Sequence, residues 1–146
     1  MEEIDLCWTI HRMGYRILHC PESLVYHVGG ATLHKENPKK TFLNFRNSLW
    51  MLYKHLPSNA LLPVLFLRMV QDGLAAIHYL SRGKISLFWA VFNAHMHFYF
   101  YGDKVKKRAL HAGLPAYYSG EKTILQSSLI IRFYLKGKKY FSDLMI

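Results

Sequence analysis

The sequence predicts an α+β fold that is mostly helical, with a first helix, two short strands and then several amphipathic helices. Two observations support this prediction. Apolar residues recur with helical spacing near the N-terminus and again in residues 39–55, 60–80 and 85–101. After the first of these helices, two short runs of aromatic, leucine and β-branched residues stand among glycine and proline breakers. With 146 residues and 51% hydrophobic content, the chain has enough apolar material for a folded core.

The first helix is predicted to begin near Glu2 and to carry three carboxylates, those of Glu2, Glu3 and Asp5, in its first turn. Acids are favoured there by the exposed backbone N–H groups and by the helix dipole. Gly14 stands where a left-handed residue would end the helix. The i, i+3, i+4 spacing predicts one buried face. That face consists of Ile4, Leu6, Trp8, Ile10, His11 and Met13.

Two strands are predicted after this helix, over residues 15–20 and 24–28, with a turn at residues 21–23 that includes Pro21. Two strands do not form a stable sheet alone, and the sequence supplies no further strands to pair with them. We therefore expect that an N-terminal portion of the fold is missing from this chain.

The second helix is predicted over residues 39–55. Asn37 is placed to cap its N-terminus, and Pro38 suits the first helical position because its fixed φ and missing N–H are tolerated there. A last short helix is predicted over residues 125–135, ahead of a basic and aromatic end. These assignments rest on local signals alone.

Residues 60–80 and 85–101 predict two further helices, and Arg68 and Asp72 have the i, i+4 spacing of an ion pair. We predict no transmembrane helix, because the first segment would place Arg68 and Asp72 in lipid and the second is too short. Aromatic helices flanked by lysines suit a membrane interface. A helical hairpin packed on its own domain or on a partner explains the same pattern.

Charge is distributed unevenly along the chain, whose formal net charge is +10. Residues 1–34 hold two Lys and Arg against four acids, and residues 35–146 hold seventeen against five. The acidic end indicates a polar site. The basic remainder suits an anionic membrane, which attracts each basic residue near its surface by about 1 kcal/mol. Nucleic acid ranks last as a partner, because no nucleic-acid motif is present.

The two cysteines, Cys7 and Cys20, do not form a CxxC pair and predict neither a disulfide framework nor a metal site. The chain opens with acids rather than with the basic and apolar regions of a signal peptide. These features favour a reducing, cytoplasmic setting.

Residues 2–8, 14–17 and 25–30, which read EEIDLCW, GYRI and VYHVGG, carry a resemblance to a known family. The chain resembles the acceptor half of family 2 glycosyltransferases, which are inverting enzymes with a GT-A-type fold and include rhamnosyltransferase-like proteins. The resemblance implies that Glu3 is the catalytic base, where Asp is commoner, with Glu2 and Asp5 beside it in the motif. Thr9 stands where the family often has Arg, so an ion pair of that Arg is missing or replaced.

The resemblance also implies a binding role for residues further along the chain. His27 would lie by the donor diphosphate and help hold a divalent metal, Mn²⁺ or Mg²⁺, with Gly29 and Gly30 allowing close backbone approach. Arg46 and Asn47, in the pattern NFRN, would lie near the active-site cleft, where an arginine pairs with phosphate oxygens. Three alternatives stay open: the acids of the first turn as helix-capping residues without a catalytic role, His27 as a hydrogen-bonded strand histidine, and Arg46 as a solvated helix residue.

We therefore expect residues 1–57 to be the acceptor-side part of a catalytic domain and residues 58–146 an amphipathic helical region. The nucleotide-binding half, with an Asp-x-Asp metal site, is absent, so the chain alone is expected to be inactive. The full enzyme would transfer a sugar from a nucleotide-sugar donor to a glycan or lipid-linked acceptor in bacterial polysaccharide synthesis. It would be peripheral on the inner face of the cell membrane. The alternative is a non-catalytic, membrane-associated helical interaction module.

Overall fold

The computed structural model describes residues 2–26, 37–111, 132–133, 136–137 and 140. Four long helices make up most of this part of the chain. They are α1 (Glu2–Arg12), α2 (Pro38–His55), α3 (Ser58–Ser81) and α4 (Ile85–His111). The predicted helix over residues 125–135 lies almost entirely outside the described residues.

The predicted α+β fold is wrong, because the described residues form helices and contain no strand. The segment predicted as two strands runs in an extended but unpaired conformation over residues 15–26, with a turn at Pro21 and Glu22. Its apolar side chains are exposed, up to 89% for Tyr26. The physical reason is that an extended segment becomes a strand only when a neighbouring strand takes its backbone hydrogen bonds, and no described residue does so.

The helix ends follow the local signals. Gly14 has a φ of 82°, and the N–H of Tyr15 donates to the carbonyl of Ile10 across 3.1 Å, which closes the last turn of α1. Asn37 caps α2, since its side-chain oxygen accepts a hydrogen bond from the N–H of Lys39 at 2.9 Å. These predicted boundaries are confirmed.

The core lies where α2 and α3 pack against α4. α4 contributes most of it through small and medium-sized side chains that let its neighbours approach closely. The buried apolar residues are Leu49 of α2, Ala76 of α3, and Leu87, Ala90, Val91, Ala94 and Phe98 of α4.

α1 lies outside this core and, of the other described helices, contacts α2 alone, at its C-terminal end. The prediction of a continuous buried face on α1 is wrong, because Ile4, Leu6 and Met13 are each more than half exposed. The periodicity correctly indicated a helix, but no described element covers that face along its length. What holds α1 in place is polar.

Candidate functional site

Glu2 and Glu3 lie exposed in the first turn of α1, where the free backbone N–H groups of a helix gather. A hydrogen bond with the backbone lowers the pKa of each carboxyl below its usual value. Both are therefore ionised at neutral pH and reachable from solvent. Chemically, either carboxylate accepts a proton from a hydroxyl brought to it, although a lowered pKa makes it a weaker base.

Asp5, the third acid of the motif, has a different environment. Its Oδ2 lies 2.9 Å from the Lys54 ammonium, and its Oδ1 lies 2.7 Å from Nε2 of His55. Burial works against the ionised carboxylate, but the hydrogen bonds from Lys54 and His55 outweigh it and lower the pKa of Asp5. Both carboxylate oxygens of Asp5 are thus occupied by groups from α2.

His55 is the centre of this contact, with only 1% of its surface exposed. Its ring stacks on the indole of Trp8 with centroids 4.7 Å apart and planes 9° from parallel. Burial lowers the pKa of His55 to about 4, so the ring is neutral at physiological pH. Because a carboxylate only accepts, the neutral ring carries its hydrogen on Nε2 and donates it to Asp5. Its other nitrogen, Nδ1, faces Arg12 at 3.5 Å.

Arg12 and Thr9 complete the junction between α1 and α2. Arg12 Nη1 donates to the carbonyl of Lys54 at 2.8 Å, which places a cation at the negative end of α2. Lys54 donates to the hydroxyl of Thr9 at 3.1 Å as well as to Asp5. Thr9 stands where the resembled family often has an arginine, yet Asp5 still has a cation beside it. That cation is Lys54, which lies 49 positions further along the chain.

Lys54 and His55 were missed as site residues, because in the sequence they only mark the end of a helix. Two basic residues in the last turn of α2, in a chain whose acids gather at α1, were the available signal. The sequence does not show which acid they meet.

Arg46 and Asn47 are adjacent on α2, and the structure brings their side chains together. Nε and Nη2 of Arg46 both donate to Oδ1 of Asn47, at 3.1 and 2.9 Å. The guanidinium lies over the rings of Trp50 and Phe42, 4.3 and 5.1 Å from their centroids. Burial lowers the pKa of Arg46, which remains a cation.

The predicted metal and glycine residues, His27, Gly29 and Gly30, lie outside the described residues. Within residues 2–26 and 37–111, no three metal-ligating side chains converge. The carboxylate–imidazole contact of Asp5 already includes the cation of Lys54, so it does not fit a divalent ion.

The hairpin formed by α3 and α4 has its ion pair on the inside, whereas the uncharged polar residues Asn93 and His78 are exposed. Asp72 is only 3% exposed and lies 2.9 Å from Nε of Arg68 and 3.0 Å from Nε2 of His95 on α4. The predicted Arg68–Asp72 pair is confirmed. Phe45 of α2 packs against the Arg68 guanidinium at 5.6 Å. Every charge of the apolar part of α3 thus faces the other helices.

The outer side of the same hairpin is mostly apolar. The exposed side chains of α3 recur at intervals of about three and four residues, which places them along one side of the helix. We call the exposed apolar side chains of the two helices the apolar face. It comprises Leu62, Phe66, Leu67, Met69, Val70, Leu74, Ile77 and Leu80 of α3 and Ile85, Trp89, Phe92, Tyr99, Phe100 and Tyr101 of α4.

α3 is, among the described residues, the one helix long and apolar enough to cross a membrane, judged by length and composition. Its 24 residues extend about 36 Å, against about 30 Å for the hydrocarbon core of a bilayer. The prediction of no transmembrane helix assumed that Arg68 and Asp72 would face lipid. They instead face the interior, so that objection does not hold.

Comparisons of the chain with models of protein families, with curated proteins and with solved structures gave no match. The resemblance to family 2 glycosyltransferases stays a prediction from the motif residues.

The junction of α1 and α2 is expected to weaken in acid. His55 is neutral in the folded protein down to about pH 4, whereas an exposed histidine gains its proton near 6.5. Because the undocked state binds the proton first, the stability is complete above about pH 6.5 and falls as the pH drops to about 4. The loss amounts to about 3 kcal/mol at ~1.4 kcal/mol per pH unit. Asp5 adds a further loss as the pH falls below 3.8, the ordinary pKa of an aspartate, toward its own lowered pKa.

Proton NMR of the His55 ring in maltoside micelles measures the pKa on which this pH dependence rests. The His55→Gln variant identifies the resonance. Lys54→Met is expected to raise the pKa of His55 by removing a nearby cation, and Asp5→Asn to lower it by removing the acceptor. A His55 ring that titrates near 6.5 in the folded protein contradicts the buried junction.

Proposed function

We propose that the chain is the acceptor-side, membrane-associated part of an inverting glycosyltransferase that moves a sugar from a nucleotide-sugar donor to a glycan or lipid-linked acceptor. The observation that supports its place at the membrane is the reversed polarity of the α3–α4 hairpin. Ion pairs lie inside it and the apolar face lies outside. In a water-soluble helical protein the arrangement is the opposite.

Lipid explains this polarity better than water does. Burying one leucine or phenylalanine side chain is worth about 1.5–3 kcal/mol, so a face of this size strongly favours an apolar environment. Contiguous apolar patches of this kind mark sites of membrane or protein interaction. Charged residues within membrane segments face the bundle interior and pair with one another, as Arg68 and Asp72 do, with His95 also in contact with Asp72.

The hairpin is proposed to lie at the interface on the inner leaflet rather than to cross it. α2 covers the hairpin on the inner side of both helices, through Phe45 on Arg68 and Tyr53 on Phe98. α2 is itself polar, with Lys39 and Asn44 exposed. A protein that is polar on one side and apolar on the other suits a monotopic position, and basic residues draw it to anionic lipid.

The proposed chemistry is a single displacement at the acidic end. Glu3 takes the proton of the acceptor hydroxyl, whose oxygen attacks the anomeric carbon while the bond from that carbon to the nucleoside diphosphate breaks. The configuration is inverted. Glu3 is exposed in the first turn of α1 and ionised, which supports this role. The junction of Asp5 with Lys54 and His55 holds α1 on α2 and so positions Glu3.

The membrane proposal is tested by flotation with vesicles of phosphatidylcholine and phosphatidylglycerol. The chain is expected to float, and Phe66→Ser with Leu74→Ser is expected to weaken binding at least about tenfold, because two apolar anchors are lost. Leu24→Ser with Val25→Ser is the matched control, since these two apolar residues are at least as exposed as Phe66 and Leu74 but lie outside the apolar face. Equal losses in both variants, or no flotation at all, contradict the proposal.

The transferase proposal is tested by sugar transfer in membranes from cells that express the protein from its own locus. Labelled uridine and thymidine diphosphate sugars serve as donors, with Mn²⁺ present. Glu3→Gln is expected to lower transfer by about 10²–10⁴-fold, the usual contribution of a general base. The Glu2→Gln variant should keep most of the transfer activity, and the exposed control Glu22→Gln should keep all of it.

If the Glu3→Gln variant keeps full transfer activity, Glu3 is not the catalytic base and another residue takes that role. If no donor supports transfer while the protein still binds vesicles, the chain is instead a non-catalytic membrane module.

A further inference from the structure

We propose that Arg46, together with the indole N–H of Trp50 and the imidazole of His97, binds a phosphate group of the kind that a lipid-linked molecule carries at its headgroup. The inference deepens the proposed function by naming the acceptor's anionic group. It rests on that function only for the source of the phosphate, since the site itself is argued from side-chain contacts.

The first argument is that Arg46 has no anionic partner in the part of the chain that the structure describes. Its contacts are the amide oxygen of Asn47 and the ring faces of Trp50 and Phe42. The other arginines with described ion or hydrogen-bond partners, such as Arg68 on Asp72, are neutralised or cap a helix. A half-buried guanidinium without a counter-ion is costly to maintain, so it favours an incoming anion.

The second argument is that the guanidinium is already oriented. Asn47 takes two of the five N–H donors, those on Nε and Nη2, and leaves three for a ligand. Stacking on Trp50 at 4.3 Å fixes the plane of the group. A fixed fork of donors matches the oxygens of a phosphate, and little conformational entropy is lost when it binds.

The third argument comes from two further polar atoms, which belong to the ring under the guanidinium and to a ring in contact with it. Nε1 of Trp50 and Nδ1 of His97 are buried and have no hydrogen-bond partner in the described structure. The two rings lie 5.4 Å apart, and His97 also contacts Phe42. Buried polar atoms are nearly always paired, so two unpaired ones beside an uncompensated arginine indicate a ligand that supplies acceptor oxygens. A phosphate does so for all three groups.

The shared chemistry is a phosphate monoester or diphosphate, and it has two possible sources. One is a lipid phosphate at the membrane, which the apolar face of the hairpin would bring close. The other is a soluble phosphate or diphosphate. The experiment below separates them.

The site is tested by NMR titration of the Trp50 indole N–H in maltoside micelles, where no phosphate is present. One titration uses dihexanoyl phosphatidic acid, a lipid phosphate monoester, and a second uses inorganic pyrophosphate. We expect a saturable shift with the lipid phosphate. Arg46→Gln should weaken binding by at least about tenfold, the effect of losing one charge-assisted contact. Trp50→Phe should weaken it in a competition assay that does not depend on the indole signal.

Lys39→Gln is the matched control, because it removes the same charge from an exposed position on the same helix. Arg46→Lys keeps the charge and loses the fork, so it should bind with intermediate strength even if Arg46→Gln is poorly folded. Circular dichroism verifies the fold of each variant. If pyrophosphate binds as tightly as the lipid phosphate, the site is supported and its ligand is a soluble phosphate.

No shift with either ligand, or equal losses with Arg46→Gln and Lys39→Gln, overturns the proposal. Since the assay contains no sugar transfer, its failure is distinct from a failure of the transferase proposal.

Discussion

The buried contact of Asp72 with Arg68 and His95 determines how the rest of the described structure is oriented. A carboxylate that is 3% exposed is stable only when cations and donors surround it, and here they come from its own helix and from α4. This contact fixes which side of α3 faces inward. The apolar residues on the opposite side, such as Leu74, are then left on the surface. The proposed association with lipid rests on that ion pair as much as on the apolar residues.

A second polar contact fixes the position of α1. Apolar packing does not hold this helix, because three residues of its predicted buried face are exposed. It is held by Asp5 against Lys54 and His55, with Trp8 stacked on the imidazole. The acids at the start of α1 therefore stand at a fixed place relative to α2, the helix that also carries Arg46. Both parts of the proposed site depend on the position of α2, and α2 packs on the hairpin.

The sequence predicted what depends on near neighbours in the chain. Asn37 and Gly14 mark helix ends because capping and left-handed turns involve residues within one turn of each other. The ion pair of Arg68 and Asp72 was predictable for the same reason. The two strands were not correctly predicted, because β structure requires a partner strand and the described residues 15–26 have none. The partners of Asp5, 49 and 50 residues away, depend on how α1 folds back, which no local pattern encodes.

The central claim, that lipid covers the outer side of the α3–α4 hairpin, is tested most directly by spin labels in anionic vesicles. Cys7 and Cys20 are replaced by serine, and a label is attached through Leu74→Cys or, as a reference, Leu24→Cys. The account predicts that the label at position 74 collides with dissolved oxygen and is shielded from a water-soluble nickel chelate, whereas the label at position 24 is open to the chelate. Equal exposure of both labels to the chelate would contradict it.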